Sequence, residues 1–394
     1  MSSSRHPICF NPDAQPLTTS GSESESTDLV SAFHRKLPGY EPTRLVPLDD
    51  LAKELGVAAV YYKEESNRMG VPSFKILGAS WGTFRALADK LKLPLDCDVA
   101  TIKDAAKLEP YTLFAATAGN HGRAVARVGS IFGLPVEIFV PAGTHSDTIR
   151  FIASEGARVT VVPGSYDDAV RTAGAAAETD SGILIQDTAW PGYEDIPNWI
   201  VAGYTTLLAE LPAQLPARHA HPTHILVPVG VGSFASSVVL HFKSPSESPL
   251  SPPPAIIAVE PDAAACLHAS LTAHRPVSVP TASSPSAPPT ILAGLNCGTL
   301  SSTAWPVLAA GVAAAVTVSD RAAHGACEWL TARGVDAGPC GAAGVAALRR
   351  CCGERDARET LGLGAGAVVL VLGTEGRRGY EVPQPDAVAE LLGH

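Results

Sequence analysis

Two places in this 394-residue chain join a reactive residue type to a spacing that could serve chemistry. The first surrounds Lys75, where residues 63–87 read KEESNRMGVPSFKILGASWGTFRAL. Gly70 and Pro72 mark a turn, and Leu77, Trp81, Phe84, Ala88 and Leu91 then recur on one face of a helix. Lys75 thus stands at a helix start, beside Phe74, facing the positive end of the helix dipole. Both surroundings disfavour an ammonium and predict a lowered pKa. An uncharged amine can condense with an aldehyde; a solvated ammonium cannot. The plainer reading is a surface lysine whose stem lies along the helix and whose head reaches water.

The second place is Ile225–Val239, ILVPVGVGSFASSVV. A strand runs into Gly230-Val231-Gly232-Ser233 and a helix begins. Glycines let the backbone approach an anion, the first N–H groups of the helix point at it, and Ser233 adds a hydroxyl donor. The same residues fit a dinucleotide fingerprint as Gly230, Gly232 and Ala235, with Glu260 placed to grip a ribose. A plain strand-to-helix turn is the third possibility.

The elements that must position these residues alternate. Thr112–Ala116, Val136–Val140, Val159–Val162 and Ile183–Gln186 read as buried strands. Helical patterns lie between them at Asn120–Phe132, Ser146–Gly156 and Tyr166–Thr179. The rhythm resumes with Ile225–Pro228, a helix over 233–242, Ile256–Val259, a helix over 262–273 and a closing strand at Val368–Leu372. Alternation of this kind predicts an α/β fold with two doubly wound parallel units. Lys243–Pro254 and Pro276–Pro289 are Pro/Ser-rich and predict exposed loops inserted into that rhythm. Residues 1–32 predict a solvated tail.

Composition excludes several classes of function. A net charge of −10 without a basic block argues against nucleic-acid or anionic-membrane partners. The longest apolar run, Val307–Val318, is too short to span a bilayer and contains Gly311. Without a signal pattern, the eight cysteines predict reduced thiols and a cytoplasmic protein. His219, His221 and His224 lack acidic or cysteine company, so no metal is expected and they read as exposed loop.

Three further stretches carry a resemblance: ATAGNHGRA at 116–124, QDTAWPGYEDIPNWIVAG at 186–203 and AGLNCG at 293–298. With Ser73-Phe74-Lys75 and the GVGS turn, they resemble the fold type II pyridoxal-phosphate enzymes (tryptophan synthase β-like). Within that group the diaminopropionate ammonia-lyases are the most similar, on the strength of QDTAW-x-GYEDIP. The resemblance spans roughly residues 33–376. It implies pyridoxal 5′-phosphate as cofactor, with Lys75 as its covalent anchor, Asn120 at its 3′-oxygen and Gly230, Val231, Gly232 and Ser233 around its phosphate. Thr374, in the Gly-Thr-Glu-Gly turn after the last strand, would face the ring nitrogen, and its neutral hydroxyl would favour elimination. Asp187 matches an acidic residue placed for proton transfer at the substrate; its plainer reading is a cap of the following turn, and the surrounding motif favours the site. Tyr193, Glu194 and Cys297 are weaker substrate-site candidates, each also readable as packing, and His121 reads as ordering its loop. One departure stands out. The ammonia-lyases carry Asp in Thr-Asp-Gly-Asn-His-Gly, associated with proton removal from a D-substrate, and this chain has Ala118 there.

The resemblance further implies a homodimer and two domains, 1–78 with 186–394 holding the cofactor and 79–185 closing over the substrate about hinges near 78 and 186. The activity it implies is α,β-elimination on a small amino acid, foremost L-2,3-diaminopropionate. Rivals are a serine/threonine dehydratase-like or β-substituting enzyme, a nicotinamide-dependent dehydrogenase built on the Gly230–Ala235 fingerprint, and a cofactor-binding protein without catalysis.

Overall fold

A computed structural model describes residues 6–15, 26–117, 119–243, 252–281 and 289–384. Ala118, residues 244–251 and 282–288 of the Pro/Ser-rich stretches, and residues 1–5 and 16–25 of the expected tail lie outside the described residues.

In chain order the strands are β1 (Cys9–Phe10), β2 (Leu45–Pro47), β3 (Ala59–Glu64), β4 (Thr112–Ala116), β5 (Val136–Pro141), β6 (Arg158–Val162), β7 (Gly182–Leu184), β8 (His224–Pro228), β9 (Ala255–Pro261), β10 (Val312–Val318) and β11 (Val368–Gly373). They form two sheets. The larger has the order β1-β10-β9-β8-β11-β3-β2 and is parallel except for β1 and β2 at its edges. The smaller, β6-β5-β4-β7, is parallel throughout. Every residue of β8 and β11 is buried, which is why these strands read as unbroken apolar runs: helices cover both faces of a parallel sheet. Val371 sits between Leu226 of β8 and Tyr62 of β3, so the loops leaving β8 and β11 emerge side by side. The carboxyl ends of such strands are where open α/β sheets place ligands.

The helix Lys75–Leu91 carries the chain from the larger sheet to the smaller and packs on the helix Asp195–Gly203. Glycines set that approach. A Cβ on Gly78 would come within 2.6 Å of Tyr204 Cε1, and one on Gly203 within 2.6 Å of Leu77 O. The position of Lys75, the first residue of the helix, follows from this contact.

Several expectations need correction. The tail is partly ordered: β1 pairs with β10, and Thr27–Arg35 is a helix that buries Val30, Phe33 and His34, with the Phe33 ring 4.5 Å from Phe84. The apolar run 307–318 is the end of a helix, Ala304–Gly311, followed directly by β10; Gly311 is the junction. The helix expected from 262 begins at Cys266, because Glu260 caps it there. His224 is a buried residue of β8 bonded to Leu361 O at 2.7 Å, and His219 meets the Tyr61 hydroxyl at 2.7 Å, so neither belongs to an exposed loop. No helix among the described residues is long and apolar enough to cross a membrane.

Candidate active site

A cavity of about 190 Å³ opens where the two sheets meet, at the ends of β8 and β11. Lys75, Asn120, Asp187, Gly230, Val231, Gly232, Ser233, Cys297 and Thr374 all line it. Residues spread over 300 positions of sequence are thereby brought to one wall or another of a single space.

Lys75 Nζ donates to Asp187 Oδ2 at 2.5 Å. This overturns the expectation of a neutral amine. Burial does work against the ammonium, but the Asp187 carboxylate outweighs burial and holds Lys75 above its ordinary value. Burial likewise pushes the Asp187 carboxyl up, and the Lys75 ammonium reverses that, holding it well below the usual carboxylate range. The helix dipole loses to an opposite charge in direct contact. Asp187 is therefore more than a turn cap; its side chain is in the cavity and paired. His121 donates from Nε2 to Ile185 O at 2.8 Å, which leaves Nδ1 without a hydrogen-bond partner, 3.8 Å from Asp187. Burial keeps this imidazole below its ordinary pKa and hence neutral.

The glycine turn has the shape an anion requires. At Gly232 φ is +95°, a conformation that strains any L side chain, and an added Cβ would stand 2.8 Å from Leu308 Cδ1. At Gly230 a Cβ would stand 3.1 Å from Cys297 Sγ. Ser236 N–H bonds Gly232 O at 2.8 Å, so the N–H groups of Ser233, Phe234 and Ala235 precede the first closed turn of their helix and have no partner within it. The Ser233 hydroxyl differs from expectation: it donates to Asp187 O at 2.5 Å. Thr374 Oγ1 is buried beside the cavity with no hydrogen-bond partner among the described residues. A glycine cradle, an orphaned hydroxyl and a lysine within one small cavity fit a phosphorylated aromatic aldehyde.

Glu260 cannot serve a ribose. It is fully buried, its two oxygens accept from Leu267 N and His268 N at 2.7 and 2.8 Å, and burial pushes its carboxyl up to about 7. Tyr193 and Glu194 do not reach the cavity. The Tyr193 hydroxyl donates to Leu184 O and accepts from Gln186 N, and its ring stacks on Trp190 at 4.4 Å. Glu194 is exposed and leads into the helix Asp195–Gly203. Cys297 lines the cavity as a thiol whose pKa burial pushes up to about 12.

Among the lining residues not marked by the sequence are Tyr166 and Glu375. Tyr166 accepts from Gln186 Nε2 at 2.8 Å, and burial, with Asp187 and Cys297 nearby, keeps its phenol protonated. Nothing in its sequence surroundings marks it except the Gly164-Ser165 turn before it. Glu375 accepts from Asn120 Nδ2 at 2.7 Å; its signal was its place beside Thr374. Among the described residues no group of three or more His, Cys, Asp or Glu is placed to hold a metal.

Comparison with known proteins agrees with this geometry. Residues 36–374 match the family model described as pyridoxal-phosphate dependent enzyme. Diaminopropionate ammonia-lyase of Salmonella typhimurium is 37% identical over 88% of this chain and 88% of its own. The Escherichia coli K12 enzyme of that name is 35% identical over 93% and 91%. The crystal structure of the E. coli diaminopropionate ammonia lyase in complex with D-serine superposes with a TM-score of 0.83 at 32% identity, covering 94% of this chain and 93% of that one.

Proposed function

The chain belongs to the pyridoxal-phosphate-dependent enzymes of fold type II, and from that premise we propose that it catalyses α,β-elimination on 2,3-diaminopropionate, favouring the L-isomer and releasing pyruvate and ammonia. The observation that carries the reading is the Lys75–Asp187 pair in a cavity walled by the Gly230–Ser233 cradle. Bound pyridoxal 5′-phosphate supplies an electron sink for charge left on the substrate's α-carbon. Backbone N–H groups of Gly230, Val231, Gly232 and Ser233 would hold the phosphate, Asn120 would meet the 3′-oxygen, and Thr374 would offer the ring nitrogen a neutral hydroxyl. Lys75 would be the covalent anchor, reacting as the uncharged amine once its proton has passed to water.

With the cofactor in place, Lys75 Nζ, as the free uncharged amine, would take the α-proton of an L-configured substrate. Asp187, one hydrogen bond away, orients the departing β-nitrogen or passes it that proton. The nitrogen leaves as ammonia with the electron pair of its bond to carbon, and hydrolysis of the remainder gives pyruvate and a second ammonia. Ala118, in the position where the ammonia-lyases carry Asp, has no acid–base group to offer a D-substrate.

The test is pyruvate release from L- and D-diaminopropionate, serine and threonine. L-Diaminopropionate should turn over fastest, the D-isomer slower by about 100-fold or more, the cost of a missing base. Brisk turnover of serine with none of L-diaminopropionate would replace the substrate by that of a dehydratase-like enzyme, a reading that Ala118 itself favours. A scan with added nucleophiles separates elimination from β-substitution. The reading extends to a cytoplasmic homodimer in which residues 79–185 close on 1–78 and 186–394 about hinges near 78 and 186.

A further inference from the structure

Glu375 is a buried carboxylate that lines the cavity and that the scheme above does not use. Its environment fixes it on every side. Its backbone bridges Ser73, two residues before Lys75, and its carbonyl accepts from Gly338 N at 3.0 Å. Its Oε1 accepts from Cys340 N, in the first turn of the helix Pro339–Gly353, at 3.1 Å, and lies 3.5 Å from Arg378 Nε. A Cβ on Gly338 would come within 2.8 Å of that oxygen, so the glycine is what makes room for it. Its Oε2 accepts from Asn120 Nδ2 at 2.7 Å.

The last contact has a consequence for Asn120. The two ends of an asparagine amide have nearly the same shape, and only their partners decide which faces where. A carboxylate accepts and does not donate, so it draws the NH₂ end toward itself. That nitrogen carries two hydrogens. One is used on Glu375, and the second stays available on the same end of the amide.

We propose that Glu375 is a positioning residue for Asn120: it holds the amide so that Asn120 turns an N–H, and not its carbonyl, to the cofactor's 3′-oxygen. The inference rests on the assignment of Asn120 to that oxygen. An N–H there stabilises the 3′-oxygen as an anion; a carbonyl would favour its protonated form. The two forms absorb at longer and shorter wavelength respectively, so the orientation of one amide is readable in the colour of the bound cofactor.

The experiment compares visible spectra of the holoenzyme across pH, at saturating cofactor, for the wild type, E375Q, E375D and N120A. Glutamine can donate to the Asn120 carbonyl and lets the amide turn over, so E375Q should lose much of the long-wavelength band and hold cofactor about tenfold less tightly, the worth of one good hydrogen bond. E375D, one methylene shorter, withdraws the acceptor and should shift the bands the same way, which keeps the test intact if E375Q does not fold. N120A should lose the band whatever stands at 375. An unchanged N120A spectrum refutes the assignment of Asn120. An altered N120A spectrum with wild-type bands in E375Q and E375D, whatever their melting temperatures, refutes the role of Glu375 alone.

Discussion

Lys63 and Lys75 each have a carboxylate oxygen 2.5 Å from Nζ, yet they respond in opposite ways. Lys63, on β3, is enclosed completely. It donates to Thr43 O, Glu210 Oε2 and Gln214 Oε1, and it shares Glu210 with Arg68, whose guanidinium also grips Glu65. Burial lowers its pKa, and with Arg68 competing for the same acids, Glu65 and Glu210 do not restore it. Lys75 keeps Asp187 without a second cation on that carboxylate, His121 being neutral, and ends above its ordinary value. Distance to a carboxylate does not alone set the direction in which a buried amine's pKa moves; competition for the carboxylate also enters. The Lys63 cluster is saturated and braces the chain before the Lys75 turn. The Lys75 pair has one partner each way and faces open space, so its members can be exchanged for a ligand.

The sharpest way to separate the two lysines is to remove them one region at a time. Lys75→Ala should cut pyruvate formation by about 10⁴-fold or more, with no cofactor retained after borohydride reduction. Glu210→Ala should act on folding instead, costing about 3–5 kcal/mol in urea denaturation because Arg68 and Lys63 are left uncompensated, with kcat per folded molecule unchanged. Asp187→Asn should bind cofactor and lower kcat by about 10²–10³-fold; a residue that only capped its turn would leave kcat within a few-fold. Tyr193→Phe, outside the cavity, should cost about 1 kcal/mol of stability with kcat intact.

The smallest effect is a slope with pH, measured on cofactor-free protein. Lys75 titrates above its ordinary 10.5 when folded, so its contribution to stability is complete below 10.5 and lost as pH rises through the higher folded value. Lys63 titrates below 10.5 when folded, so its contribution improves as pH climbs through that window. The stability gap between wild type and Lys75→Met should therefore shrink with rising alkalinity, and that for Lys63→Met should move the other way. Parallel slopes would dissolve the contrast.

Sequence reasoning reached the site through residues whose role is written in local pattern. Lys75 heads an apolar helical face, and Gly232 sits where the backbone suits only glycine. The strand–helix alternation was legible from Thr112 onward because parallel strands buried on both faces form short apolar runs. What stayed hidden depends on distant partners. The charge on Lys75 is not legible in sequence because Asp187 is 112 positions away, and a helix end visible in sequence weighs less than a carboxylate that is not. Glu375 and Asn120 are 255 positions apart. β1 is two residues long and exists only because the edge of β10 is there to receive it. Tyr193 and Glu194 sit in a motif with the cavity-lining Asp187, but a motif also contains the residues that fold it.

The bond from the Ser233 hydroxyl to the Asp187 carbonyl joins the anion cradle to the acid-bearing segment by a single proton. A hydroxyl cannot give the same proton twice. If an arriving phosphate claims it, the Asp187 carbonyl must find another donor or shift; if a vitamin form without phosphate enters, the strut stays in place. On the proposed function, filling the cradle and placing Asp187 would be coupled through this one bond, and the two vitamers should leave the Asp187 segment in different registers.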